Sequence, residues 1–138
     1  MTNPTSPLDA ARARTKLAVE ISALCLAALG IVLLFAGTEL TTWAFATPIA
    51  EPFPAVLGAA LLGFASMNWI ARHNLLGGIY GRAVVAANQT HLTVGAIVLV
   101  KHGLTHGGSI GFSILAGLYV AGAILFTFLL RGPGRPQE

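Results

Sequence analysis

Four apolar stretches, each close to the length that carries a helix across a bilayer, leave this chain few folds to choose from. They lie at about residues 17–37, 55–71, 83–101 and 109–130. At a rise of about 1.5 Å per residue the first reaches roughly 30 Å, the thickness of the hydrocarbon layer. Only 9% of the residues are charged and 55% are hydrophobic, whereas a water-soluble domain carries roughly 25% charged residues to wet its surface. A chain with a mean hydropathy of +0.77 has to present its surface to lipid. The expected fold is therefore all-α, a four-helix transmembrane bundle with its spans running up-down-up-down through short loops.

The net charge of +3 and pI of about 9.6 would suit a nucleic-acid binder if the cations formed patches. They flank the apolar runs instead, which fits the bilayer as partner and excludes nucleic acid. Arg12, Arg14 and Lys16 precede the first run, Arg72 and Arg82 bracket the loop after the second, and Arg131 and Arg135 follow the fourth. Lys101 alone falls on the other side. That bias places both termini in the cytoplasm of a multi-pass inner-membrane (cytoplasmic-membrane) protein. Residues 1–16 are then an interfacial segment, 17–130 the membrane domain and 131–138 a cytoplasmic tail. Arg12, Arg14, Lys16, Arg72 and Arg82 are candidates for binding lipid headgroups.

Near the N-terminus, Ser6-Pro7-Leu8-Asp9 is a weakened capping box with proline at the first helical position. The apolar run after Lys16 exceeds the core of a signal peptide, so it is expected to stay as the first span. Glu20, in the first turn of that span, is placed to pair with Lys16. Cys25 is the one cysteine, which excludes an intrachain disulfide and predicts a small buried thiol. In the first loop, Pro48, Pro52 and Pro54 forbid a long helix, and Trp43, Phe45 and Phe53 suit the headgroup level of a cap over the bundle. Asn68, Trp69 and Arg72 mark the exit of the second span to water. The run Gly77-Gly78-Ile79-Tyr80-Gly81 matches no nucleotide motif and predicts a tight hairpin turn. Small residues recur at helical spacing in every span: Ala23, Ala27 and Gly30; Ala55, Ala59, Gly63 and Ser66; Gly95; and Gly117 beside Ser113. Such stripes let helices pack closely.

The third span contains the polar knot Asn88-Gln89-Thr90-His91. At about 100° per residue, Val84, Asn88, His91, Gly95 and His102 share a sector of roughly 60°, while Gln89 points elsewhere. Ionisable residues inside a membrane are costly, which makes His91 and Asn88 the candidate polar site. The alternative is hydrogen-bonded glue, with His91 held by Asn88, Ser66, Ser113 or Thr127. A bis-histidine haem needs a second ligand at the same depth, and His73, His102 and His106 all fall at interfaces. His102-x-x-x-His106, with Glu39 and Glu51 on the same side, has ligand types for zinc or copper. That spacing works only if the helix reaches residue 106, and Gly103 with Gly107-Gly108 predicts that it frays earlier.

The pattern LLFAG…P…GAALLGFASMNWIAR…GGIYGR resembles the DoxX-like group of small four-helix bacterial membrane proteins. Gly58-Ala59-Ala60-Leu61-Leu62-Gly63 and Asn68-Trp69-Ile70-Ala71-Arg72 carry the similarity. It implies the same architecture and, through the association of DoxX with a membrane thiosulfate–quinone oxidoreductase, a quinone-linked setting. It assigns no catalytic residue. The primary expectation is a non-enzymatic accessory subunit or lipid-interacting bundle, in a larger membrane complex or a homo-oligomer and without a cofactor. A membrane subunit of a quinone-linked redox system, with His91 and Asn88 holding a quinone or relaying a proton, is one alternative; haem at His91 would take its second ligand from a symmetric dimer. A channel or transporter along Asn88, His91, Gly95 and His102 is the other.

Overall fold

A computed structural model describes residues 7–73 and 79–131, and among them every regular element is a helix: α1 (Pro7–Phe35), α2 (Gly37–Phe45), α3 (Phe53–Ala71), α4 (Ile79–His106) and α5 (Ile110–Arg131). Four contain stretches long and apolar enough to cross a membrane, at Arg12–Phe35, Phe53–Ala71, Gly81–His106 and Ile110–Arg131. The chain is thus an all-helical protein of the multi-pass membrane type. Ser6, Gly77, Gly78, Arg135 and the rest of the tail after Arg131 lie outside the described residues.

The predicted interfacial segment and the first span form one continuous helix, α1. Pro7 opens it, where a missing N–H costs no hydrogen bond, and Asp9 in the first turn suits the positive helix end. The proline-limited loop holds the nine-residue helix α2, which stops before Pro48 with Ala46 in a left-handed conformation (φ 56°). The Thr41 hydroxyl donates to the Thr38 carbonyl at 3.1 Å and accepts the Ile49 N–H at 3.1 Å, folding the chain back after the helix.

The long helices associate as two pairs. Gly30 of α1 meets Gly58 of α3, Ser22 meets Asn68 and Glu20 meets Arg72, so the two helices run antiparallel. A β-carbon on Gly30 would lie 2.8 Å from the Gly58 carbonyl oxygen, and one on Gly58 would lie 2.6 Å from the Gly30 oxygen. Only glycine at both positions permits that backbone approach. In the second pair, Gly95 of α4 receives the Tyr119 ring of α5, Gly103 receives Phe112, and Gly122 of α5 receives Leu92. Leu26, Leu33, Leu61 and Ala65 form the core between α1 and α3, while Val19, Val85, Leu92 and Phe126 join α1 to α4 and α5.

Several expectations change. The inward face of α3 is Pro54, Gly58, Leu61, Ala65 and Asn68, whereas Ala59, Gly63 and Ser66 face outward and a β-carbon on Gly63 would meet nothing within 4 Å among the described residues. Small residues occur on both sides of this helix, so their spacing alone cannot choose a face. Gly117 likewise faces outward, and a β-carbon there would meet nothing within 4 Å among the described residues. Cys25 is exposed, because α1 turns Val19, Ala23, Leu26, Gly30 and Leu33 inward. Helix α4 does not fray at Gly103. It runs to His106 and stops at Gly107, whose φ of 71° is the left-handed geometry that ends helices.

Candidate functional site

Asn68 and Asn88 are 0% exposed and clasp each other with reciprocal amide hydrogen bonds. Asn68 Nδ2 donates to Asn88 Oδ1 at 3.0 Å, and Asn88 Nδ2 donates to Asn68 Oδ1 at 2.6 Å. Each amide has one more N–H. That of Asn68 goes to Ser22 Oγ at 3.3 Å and that of Asn88 to the Val84 carbonyl at 2.9 Å. The pair therefore ties α1, α3 and α4 together with its donors fully used. In a low-dielectric interior a satisfied neutral amide pair is a fastening, since neither side chain exchanges a proton near neutral pH. Asn68 is thus buried, correcting its reading as an interface marker.

Asn88 and His91 share a sector of α4 but bind different neighbours. His91, half-buried, stacks on Phe64 of α3 (centroids 4.8 Å apart, 25° between planes), and its Nε2 lies 3.3 Å from Tyr119 Oη on α5. None of Asn88, Ser66, Ser113 and Thr127 supplies this contact; Tyr119 does. Sequence reasoning missed that residue because a tyrosine mid-span reads as apolar. The face from Asn88 through Gly95 is filled, with Asn68 on Asn88 and the Tyr119 ring over Gly95.

Gln89 also turns inward, toward α5. Its Nε2 donates to Thr93 Oγ1 and Thr127 Oγ1, both at 2.8 Å, while its Oε1 is buried without a hydrogen-bond partner among the described residues. The Thr127 hydroxyl accepts from Gln89 because its own proton goes to the Ala123 carbonyl at 2.8 Å. The i, i+4 placement of Gln89 and Thr93 was the available signal for this second contact.

Midway along α1, beside the end of α3, Glu20 pairs with Lys16 Nζ at 3.7 Å, as expected, and also with Arg72 Nε at 3.4 Å. The Arg72 guanidinium lies 4.0 Å over the Trp69 ring and bonds the Trp69 carbonyl, so it is engaged within the chain. Arg12, which pairs with Asp9 at 3.9 Å, and Arg14 and Arg82 are exposed.

At the opposite end, Ser109 Oγ accepts the Phe112 N–H at 3.1 Å as the N-cap of α5, and its single proton has two carbonyls of the last turn of α2 within reach, Ala44 at 2.7 Å and Trp43 at 3.0 Å. Trp43 packs against Gly111, where a β-carbon would fall 2.5 Å from the indole. Beside this junction the exposed His102 and His106 rings stack with centroids 4.7 Å apart. Among the described residues no three of His, Cys, Asp and Glu come together as a metal-binding group. Comparison of the chain with family models, curated proteins and solved structures finds no match.

Proposed function

We propose that this chain is a non-enzymatic multi-pass protein of the inner membrane, an up-down-up-down bundle with cytoplasmic termini that serves as an accessory subunit. The Asn68–Asn88 clasp carries the reading: the most deeply buried polar atoms of the spans are used to hold three helices together. Helix α5 supports the accessory role, because only 6% of its most apolar window is buried within the chain. Its outward face, including Ile114, Leu118, Ile124 and Phe128, is available to lipid or to another helix, while Tyr119, Gly122 and Thr127 pack against α4. The resemblance of the chain's sequence to the DoxX-like group supports the four-helix architecture rather than an activity. Extraction in a mild detergent followed by native mass spectrometry tests the accessory role. A stoichiometric protein partner or a discrete homo-oligomer is expected, and a bare monomer in both detergent and lipid nanodiscs overturns the accessory role.

A second reading rests on a different observation. A half-buried imidazole that stacks on Phe64 and reaches Tyr119 offers a ring-binding and hydrogen-bonding edge suited to a quinone headgroup. Here His91 acts with Tyr119, since Asn88 is occupied by Asn68. Organic extraction and absorbance of the purified protein test it: quinone that is retained by the parent and lost in His91→Leu and Tyr119→Phe is the expected result, and no bound quinone excludes it.

A further inference from the structure

We propose that His102 and His106 form a two-imidazole binding site for a divalent first-row metal ion of borderline softness, with copper(II) held most tightly. The continuity of α4 makes this possible. Histidines four residues apart lie on one face of a helix only where the helix is intact, and α4 is intact to His106. The two rings stack with centroids 4.7 Å apart and 22° between planes, so their in-plane lone pairs run side by side and one ring turns about its Cβ–Cγ bond to bring both to a single ion; both side chains are exposed, which leaves room for that turn and for the ion's waters.

Each ring has neighbours that limit its motion before any ion arrives. His102 is held edge-on by Phe45 at 6.1 Å and tilted against the buried Phe112 at 5.4 Å. His106 is held through Nδ1, which lies 2.7 Å from Thr105 Oγ1. The Thr105 hydroxyl has two backbone acceptors within reach, the Lys101 carbonyl at 3.0 Å and the His102 carbonyl at 3.1 Å. With its proton directed to them, it offers His106 a lone pair, so Nδ1 carries the imidazole proton and Nε2 keeps its own lone pair for a metal. Outer hydrogen bonds of this kind set the tautomer and direction of ligating histidines. Imidazole favours copper, nickel and zinc over magnesium and calcium, and the general order of affinity places copper(II) first. Water completes the coordination sphere. Thr105 is a positioning residue, and the two histidines are the ligands.

The experiment uses the full chain without a polyhistidine tag, purified in detergent and freed of metal by chelator. Copper(II), nickel(II) and zinc(II) are titrated separately against a colorimetric chelator. About one ion per chain is expected, with copper tightest. His102→Ala and His106→Ala should each weaken binding about tenfold or more, Thr105→Val less severely, and Thr105→Ser should restore it. His73→Ala, the control, should bind like the parent. Melting curves taken beside each titration show that the exposed substitutions leave the fold intact. Parent-like affinity in the His102→Ala/His106→Ala double variant overturns the proposal, as does loss of binding in His73→Ala alone.

Discussion

Replacing Asn68 with leucine would leave the Asn88 amide buried opposite a hydrocarbon. A buried polar group without its partner costs about 1–3 kcal/mol, and interhelical hydrogen bonds in membranes contribute roughly 0.6–2 kcal/mol. Asn68→Leu and Asn88→Leu should therefore each destabilise by about 1–2 kcal/mol, while the double variant falls clearly short of the sum. Unfolding by denaturing detergent, read as a double-mutant cycle, checks this; strict additivity would show that the two amides do not interact. Gln89→Leu should behave differently, staying within about 0.5 kcal/mol of the parent by the same measurement. It removes a buried Oε1 that has no partner among the described residues, and Thr127 keeps its bond to the Ala123 carbonyl. At this scale the sequence was only partly legible. Asn88 stood out within an apolar run, but Asn68 sits beside Trp69 and Arg72 and looked like an interface residue. Its burial comes from a partner twenty positions away, which no local pattern encodes.

Glycines separate the helix contacts that matter from those that resemble them. Gly30→Ala and Gly58→Ala each force a β-carbon against a facing carbonyl, so the α1–α3 pair must part, at a cost of about 1–3 kcal/mol. Gly63→Ala and Gly117→Ala should be neutral or slightly stabilising, since nothing among the described residues lies near either position. Melting of the four variants in one detergent decides the matter, and equal losses at all four would contradict the helix pairing. Ser109→Ala removes both the α5 cap and the tie to α2, and should lower stability by about 1 kcal/mol or somewhat more. The existence and rough limits of the four long helices were readable from apolar length alone. The end of α4 was not, because Gly103 and Gly107 are the same residue type in different roles. Gly103 stays helical where the Phe112 ring packs on it, and Gly107 takes the positive φ that stops the helix.

For the molecule as a whole, the bias of cations toward one set of helix ends predicts a sidedness that labelling can read. In a Cys25→Ala background, Glu39→Cys and His73→Cys place single thiols at exposed positions on the two sides. A membrane-impermeant maleimide added to intact cells should label the first, and the second only after permeabilisation. The opposite pattern would invert the proposed orientation while leaving the helix pairing unchanged. The two-pair arrangement also bears on biosynthesis. The Gly30–Gly58 contact needs only the first part of the chain, so α1 and α3 can close on each other before α4 exists. Asn68 then waits for an amide made twenty residues later, roughly one to four seconds at ordinary rates of synthesis. During that interval Ser22 of α1 can hold one Asn68 N–H, and the other N–H and the carbonyl oxygen need water or an insertion factor as partner.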